Sequence, residues 1–182
     1  MLNYLSGTTR PDITMAVHQA ARFCIDPRLS HERAIYRIGK YLLQTADKGI
    51  IIKPDTTKGL ECFVVADFAG GWNLSDANEA SSVYSRTGYV IMYAGCPVHW
   101  LSKLQSEVAL STTESKYIAL SQAMTDVIPL IDLLIEITEI FPIHTPTPKV
   151  HCKVWEDNNG CIVLANEGKF SPCTKCNQVS PF

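Results

Sequence analysis

Leu60-Glu61-Cys62-Phe63-Val64-Val65-Ala66 runs directly into Asp67-Phe68-Ala69-Gly70-Gly71-Trp72. A short apolar run rich in β-favouring residues, closed by turn formers, reads as a buried strand ending in a loop. Two more strands are expected downstream, over Arg86–Ala94 and Val98–Ser102. Gly95-Cys96-Pro97 between them reads as a tight turn. Ser111-Thr112-Thr113-Glu114 then opens a long helix as a capping box, Ser111 being the N-cap and Glu114 reaching back to its N–H. A fourth strand is expected over Val150–Trp155, ending at Glu156-Asp157-Asn158-Asn159, with a short helix from Gly160 to Asn166 after it. Strands with a long helix between them imply an α/β fold with a mixed sheet and helices on its faces.

Five ordered segments of this stretch carry a resemblance. Ala66-Asp67-Phe68-Ala69-Gly70, Ser85-Arg86-Thr87-Gly88-Tyr89, Trp100-Leu101-Ser102-Lys103, Ala109-Leu110-Ser111-Thr112-Thr113-Glu114 and Tyr117-Ile118-Ala119-Leu120 are similar to the ribonuclease H domain of copia-type retrotransposon polyproteins. Residues 60–182 are thus expected to form a ribonuclease H-like domain, degenerate at its C-terminal end. Residues 1–55, with Arg10-Pro11-Asp12-Ile13, Asp26-Pro27, His31 and Tyr41-Leu42, resemble the helical tail of the reverse transcriptase that precedes it. The polymerase's paired aspartates do not occur here, so its chemistry is not expected.

Within that first part, Arg10-Pro11-Asp12 opens a helix with proline where its missing N–H is harmless. Ile13, Val17, Ala20, Ala21 and Cys24 share helical spacing, and Asp26-Pro27 closes the segment. Ser30 is the expected cap of a second helix, striped by Ala34, Ile35, Ile38, Tyr41 and Leu42 and stopped at Asp47-Lys48-Gly49. Gly49–Lys53 reads as a short strand. His18 and His31 read as an exposed and a first-turn helix residue. Beyond Pro129, expected to kink or divide the long helix, Leu130–Ile137 is apolar nearly all round and is expected to be buried, or covered by the N-terminal helices. Residues 73–84 read as a solvated loop, and Pro142 with Pro146-Thr147-Pro148 as a rigid connection.

The chain has 182 residues, 46% of them hydrophobic and 19% charged, with a net charge of −2. Those values fit a soluble globular protein, and no apolar run approaches the ~20 residues that span a bilayer. Nothing at Met1–Gly7 resembles a signal peptide. Seven cysteines, an odd number scattered through the elements, fit a reducing intracellular compartment, cytoplasmic or nuclear, rather than a disulfide framework. No global basic character announces nucleic acid, so any contact with it must be local. Cys173-Thr174-Lys175-Cys176 has metal-ligand spacing but no second pair. Trp72, Trp100 and Trp155 read as core residues beside strand ends.

The resemblance implies cleavage of the RNA strand in RNA–DNA hybrids by two Mg²⁺ ions, which need a cluster of carboxylates at strand ends and on one helix. The family's first strand ends Asp-Ala-Asp-aromatic-Ala-Gly, with the leading Asp as ligand; here Val65 holds that place and Asp67 matches the second Asp. Asp67 lies about 6–7 Å further along the same face, at ~3.3 Å per residue. The family's helix reads Glu-Ala-Glu-Tyr-Ile-Ala-Leu, with the second Glu as ligand; here that residue is Lys116. Glu114 lies two positions away, about 200° around the helix, and is better explained as a cap. Asp157 matches the third ligand, and Gln178 stands at the fourth. Asp157 is therefore the surviving position, and Val65, Lys116 and Gln178 are lost positions; Asp67 and Glu114 become ligands only under a different register. Mg²⁺ is the family's cofactor and is not expected to bind here, and a RNA–DNA hybrid is expected to bind weakly or not at all. The expectation is an inactive remnant. The rival is a non-catalytic nucleic-acid-binding or protein-interaction module that keeps the fold. No membrane partner is implied, and the sequence leaves the oligomeric state open.

Overall fold

The computed structural model describes residues 1–72, 74, 80–141 and 150–167. Four strands form one mixed sheet in the order β3-β2-β1-β4. They are β1 (Leu60–Asp67), β2 (Arg86–Tyr93), β3 (Cys96–Leu104) and β4 (Cys152–Trp155). β1 and β2 pair antiparallel, as do β2 and β3, whereas β4 lies parallel to β1. The crossover from β3 to β4 is the 29-residue α4 (Thr112–Ile140), and α5 (Asn159–Glu167) follows β4. Before the sheet come α1 (Leu2–Thr8), a 3-10 turn at Pro11–Ile13, α2 (Thr14–Ala21) and α3 (Leu29–Gln44). The α/β class expected from the sequence is the class observed.

Strand alternation decides what α4 covers. Leu60, Cys62, Val64 and Ala66 of β1 point to one face and join Tyr89 and Ile91 of β2 in the main core. Ala119, Ala123 and Val127 of α4 meet them with no solvent exposure. Small residues on the helix let its backbone come close, so the larger strand side chains fill the gap. Phe63, Val65 and Asp67 point to the other face. There Phe63 stacks on Trp155 of β4, ring centroids 6.0 Å apart, and both remain nearly half exposed. The N-terminal helices pack on themselves through Ile13, Val17 and Ile38. They meet the sheet at its β3 side, where Trp100 Nε1 donates to the Ser6 carbonyl at 2.7 Å.

Several sequence expectations require correction. Gly49–Lys53 is not a strand, and Ile51 and Ile52 are exposed; no neighbour offers that segment a ladder, and Pro54 withholds a donor. The turn before β3 is at Ala94-Gly95, both at positive φ (50° and 75°), a geometry suited to two-residue hairpins. Cys96 and Pro97 already belong to β3, and the register slips between Ile91 and Met92. Arg28, not Ser30, caps α3, and His31 Nδ1 accepts from the Arg28 N–H at 3.0 Å. Cys24 lies beyond the end of α2 and is exposed. Ile35 and Tyr41 of the expected α3 stripe are also largely exposed. Pro129 sits inside one unbroken helix. Leu130, Ile131 and Leu134 pack on the core, but Leu133 and Ile135 face outward. The N-terminal helices do not cover them, because they lie against β3. By length and composition α4 could cross a membrane, with mean hydropathy 1.6 over its most apolar window, contrary to the reading of short apolar runs. Trp72 and Trp155 are about half exposed rather than core residues. The Pro142–Pro148 connection, Cys173, Cys176, Gln178 and most of the 73–79 loop lie outside the described residues.

Candidate functional site

The C-terminal ends of β1 and β4 and the first turns of α4 converge at one end of the sheet. Ser111 caps α4, its Oγ accepting from the Glu114 N–H at 3.1 Å. Glu114 Oε2 reaches back to the Leu110 N–H at 2.7 Å, one residue before the expected partner. Its carboxylate is thereby held at the helix start, where the dipole favours it. A turn later the side chain of Lys116 extends towards the segment after β4.

There the ammonium meets two carboxylates. Lys116 Nζ donates to Asp157 Oδ1 and lies 3.5 Å from Glu156 Oε1. The Lys116 side chain is 13% exposed, that of Glu156 3% and that of Asp157 71%. Glu156 Oε1 also accepts from the backbone N–H groups of Asp157 (2.9 Å) and Asn158 (3.2 Å). Its Oε2 is buried with no donor on it among the described residues. Burial pushes the Glu156 carboxyl up from its ordinary range, and the adjacent Asp157 side chain adds to that. The Lys116 contact holds Asp157 down. Burial alone would lower Lys116, but its contacts with Asp157 and Glu156 outweigh that and raise it. Asn158 Oδ1 accepts from the Cys161 N–H at 2.9 Å, fixing the start of α5 beside this cluster.

The structure therefore brings Lys116 and Asp157 together, as their positions in the sequence suggested, and adds Glu156. Nothing in the sequence alone marked Glu156. The available signal was its place one residue past the strand that faces α4, next to a residue already singled out. Val65 lies on β1, half exposed on the face away from α4, opposite Gly88. A Cβ on Gly88 would lie 3.3 Å from Val65 Cγ1, so this pairing leaves little room for a larger neighbour.

Asp67 has a different task. Its Oδ1 accepts from the Arg86 backbone N–H, tying the end of β1 to the start of β2. Gly70 follows so closely that a Cβ there would lie 2.6 Å from Asp67 Oδ2. Among the described residues no group of three or more His, Cys, Asp or Glu side chains is arranged to hold a metal ion. Val65 offers no oxygen, and Lys116 brings a positive charge to the carboxylates. That donor set does not suit Mg²⁺, which gives up water only for negative oxygen ligands.

No family profile matches the chain. No solved structure matches it. The chain is 32% identical, over 93% of its length, to the retrovirus-related Pol polyprotein from transposon RE1 of Arabidopsis thaliana, covering 10% of that protein. It is 33% identical, over 96% of its length, to the Pol polyprotein from transposon TNT 1-94 of Nicotiana tabacum, covering 12%. A secreted RxLR effector protein of Plasmopara viticola is 36% identical over 69% of the chain and 82% of its own length. The chain thus spans about a tenth of the transposon polyproteins it matches. Near-complete coverage by several such polyproteins agrees with the five sequence segments and with the strand order, and the chain belongs to the Pol polyprotein family of copia-type retrotransposons, of which it represents one segment.

Proposed function

We propose that this transposon-derived segment is a ribonuclease H-like domain whose hydrolytic site is silent. The observation that carries the reading is the Lys116 ammonium seated between Asp157 and Glu156. A fixed cation stands where the family's chemistry calls for a divalent one, and Val65 removes a further ligand. A cluster of about −4 in the family pattern falls to about −1 here, counting Glu156, Asp157 and Lys116, which is too little to strip water from Mg²⁺.

The test is cleavage of a labelled RNA–DNA hybrid with and without Mg²⁺, beside calorimetric Mg²⁺ titration. The unmodified chain is expected to give no cleavage above background and no saturable binding at millimolar Mg²⁺. Val65→Asp and Lys116→Glu together should restore metal binding, and each alone should do much less. Robust cleavage by the unmodified chain that vanishes in Asp67→Asn or Glu114→Gln would sink the proposal and make those two residues the ligands.

A second reading, retention of nucleic-acid binding without cleavage, is favoured by Arg86 at the start of β2 and Arg22 after α2, which both donate to Gln19 Oε1. Binding of the hybrid without turnover would distinguish it from a remnant that does neither.

A further inference from the structure

Arg86 opens β2 and is more than nine-tenths buried, between α2 and the end of the sheet. Its Nη2 donates to Gln19 Oε1 at 2.6 Å, and its Nη1 to Ser102 Oγ at 3.4 Å. Nη1 also lies 3.5 Å from His18 Nδ1. Arg22, one turn beyond His18, donates from Nη1 to the same Gln19 Oε1 at 3.0 Å. Two guanidinium groups therefore converge on one neutral amide oxygen. Among the described residues neither has a carboxylate oxygen within 4.0 Å. The carboxylate acting on Arg86 electrostatically is Asp67, whose Oδ1 is already engaged by the Arg86 backbone.

Such an arrangement is unfavourable by itself. A buried charge is normally paired, and two like charges on one acceptor repel. The chain carries a net charge of −2, so the cluster is not a sample of general basicity. Burial and the positive charges of Arg86, Arg22 and Lys103 push the His18 imidazole below its ordinary value, as expected where positive potential accumulates. The planar fork of arginine matches the oxygens of a phosphate better than any other side chain.

We infer that α2 and the start of β2 form a phosphate-binding site, with Arg86 and Arg22 as its donors. The ligand chemistry is a phosphate oxyanion, on a nucleic-acid backbone or free. A backbone source would deepen the nucleic-acid-binding reading above and rests on it; a free phosphate does not. The location suits a backbone, since Arg86 and Asp157 lie at the same end of the sheet. β2 and β4 flank β1, with Arg86 paired to Asp67 and the last β4 residue, Trp155, paired to Phe63.

The experiment uses the full chain. Inorganic phosphate is titrated by thermal shift and by calorimetry. A short fluorescent RNA–DNA hybrid is titrated separately by anisotropy over a range of salt. Arg22→Gln and Arg86→Lys are compared with Arg33→Gln on exposed α3. Unliganded thermal midpoints show which variants fold, and Arg22→Gln carries the test should Arg86→Lys fail to fold.

Saturable phosphate binding, weakened about tenfold or more in the two site variants and unchanged in Arg33→Gln, supports the site. Hybrid binding whose log–log salt slope falls by about 1 in Arg22→Gln identifies the source as a backbone. Phosphate binding without hybrid binding identifies a free phosphate, and leaves the site intact while the nucleic-acid reading falls. Saturable binding of neither probe, or binding equal in wild type, Arg22→Gln and Arg86→Lys, overturns the inference.

Discussion

Two cation sites flank the end of β1, and they are built oppositely. On the α4 side, Lys116 is nearly buried and faces two carboxylates, Glu156 and Asp157. On the α2 side, Arg86 and Arg22 share a neutral oxygen of Gln19, and among the described residues no carboxylate oxygen lies within 4.0 Å of either guanidinium. The first cluster supplies its own counter-charges, two carboxylates to one ammonium. The second is left positive and can accept an anion. A buried cation, taken alone, predicts neither behaviour; what faces it does.

The comparison is broken most sharply at Lys116. Lys116→Met would leave Glu156 buried without its cation. Removing one member of a buried pair costs ~3–5 kcal/mol when both are fully buried, and the exposure of Asp157 reduces that here to about 2 kcal/mol. Urea unfolding at neutral pH should show the loss. Because burial already raises the Glu156 carboxyl, protonation relieves the variant, and the loss should shrink as pH falls. A variant as stable as wild type at neutral pH would mean that Lys116 and Glu156 are not coupled.

The capping residue comes next, since it sets the turn from which Lys116 projects. Ser111→Ala should destabilise the fold by about 1 kcal/mol, the usual loss for an N-cap. Glu114→Ala should be felt as well, through the lost bond to the Leu110 N–H. If neither variant moves the thermal midpoint, the hydrogen bonds at this helix start do not bear on stability, and Glu114 is free for another role.

What could be read from the sequence follows from locality. The β1 strand, the capped start of α4 and the Lys116–Asp157 pairing each rest on short spacing or on aligned segments. Glu156 escaped notice because its burial depends on how the end of β4 meets the start of α4, where Lys116 and Glu156 are 40 residues apart in sequence. The α2–β2 cluster escaped for the same reason, as Gln19 and Arg86 are 67 residues apart in sequence. His18 looked like an exposed helix residue until β2 placed a guanidinium beside it. The false strand at Gly49–Lys53 shows the converse. Three isoleucines satisfy β-propensity, yet a strand needs a neighbour, and none is offered.

A third arginine sharpens the comparison with a pH readout. Arg10 is buried like Arg86 but has its own carboxylate, donating through Nε and Nη2 to Asp12 at 3.0 and 2.8 Å. Tyr41 donates to the same carboxylate at 2.9 Å. The Arg10 contact holds Asp12 well below its ordinary value, at about 2. A depressed carboxyl stabilises the fold fully above its unfolded value of 3.8 and loses that contribution as pH falls towards about 2. Because the Asp12 side chain is more than a third exposed, solvent screens the pair and a few tenths of a kcal/mol is the expected size. Thermal midpoints of wild type and Asp12→Asn should therefore converge between about pH 4 and pH 2. Parallel curves across that window would show that the Arg10–Asp12 pair contributes nothing.

The smallest effect separates the two clusters most cleanly. Arg22→Gln removes one of two like charges held on a single neutral acceptor. It also removes a cation packed 5.4 Å from the Phe23 ring centroid, a contact worth ~0.5–1 kcal/mol at an exposed site. Repulsion from Arg86 acts in the other direction and should nearly cancel that contribution. The unliganded variant is therefore expected to lie within about 0.5 kcal/mol of wild type, against the loss of about 2 kcal/mol expected for Lys116→Met. Chemical denaturation in a phosphate-free buffer measures the difference, and repeating it in saturating phosphate should open a gap, because a ligand that binds only the folded wild type stabilises it by mass action. A loss at Arg22 as large as that at Lys116 in the absence of any anion would mean that the α2 cluster is already compensated within the chain, and the contrast between the two cation sites would collapse.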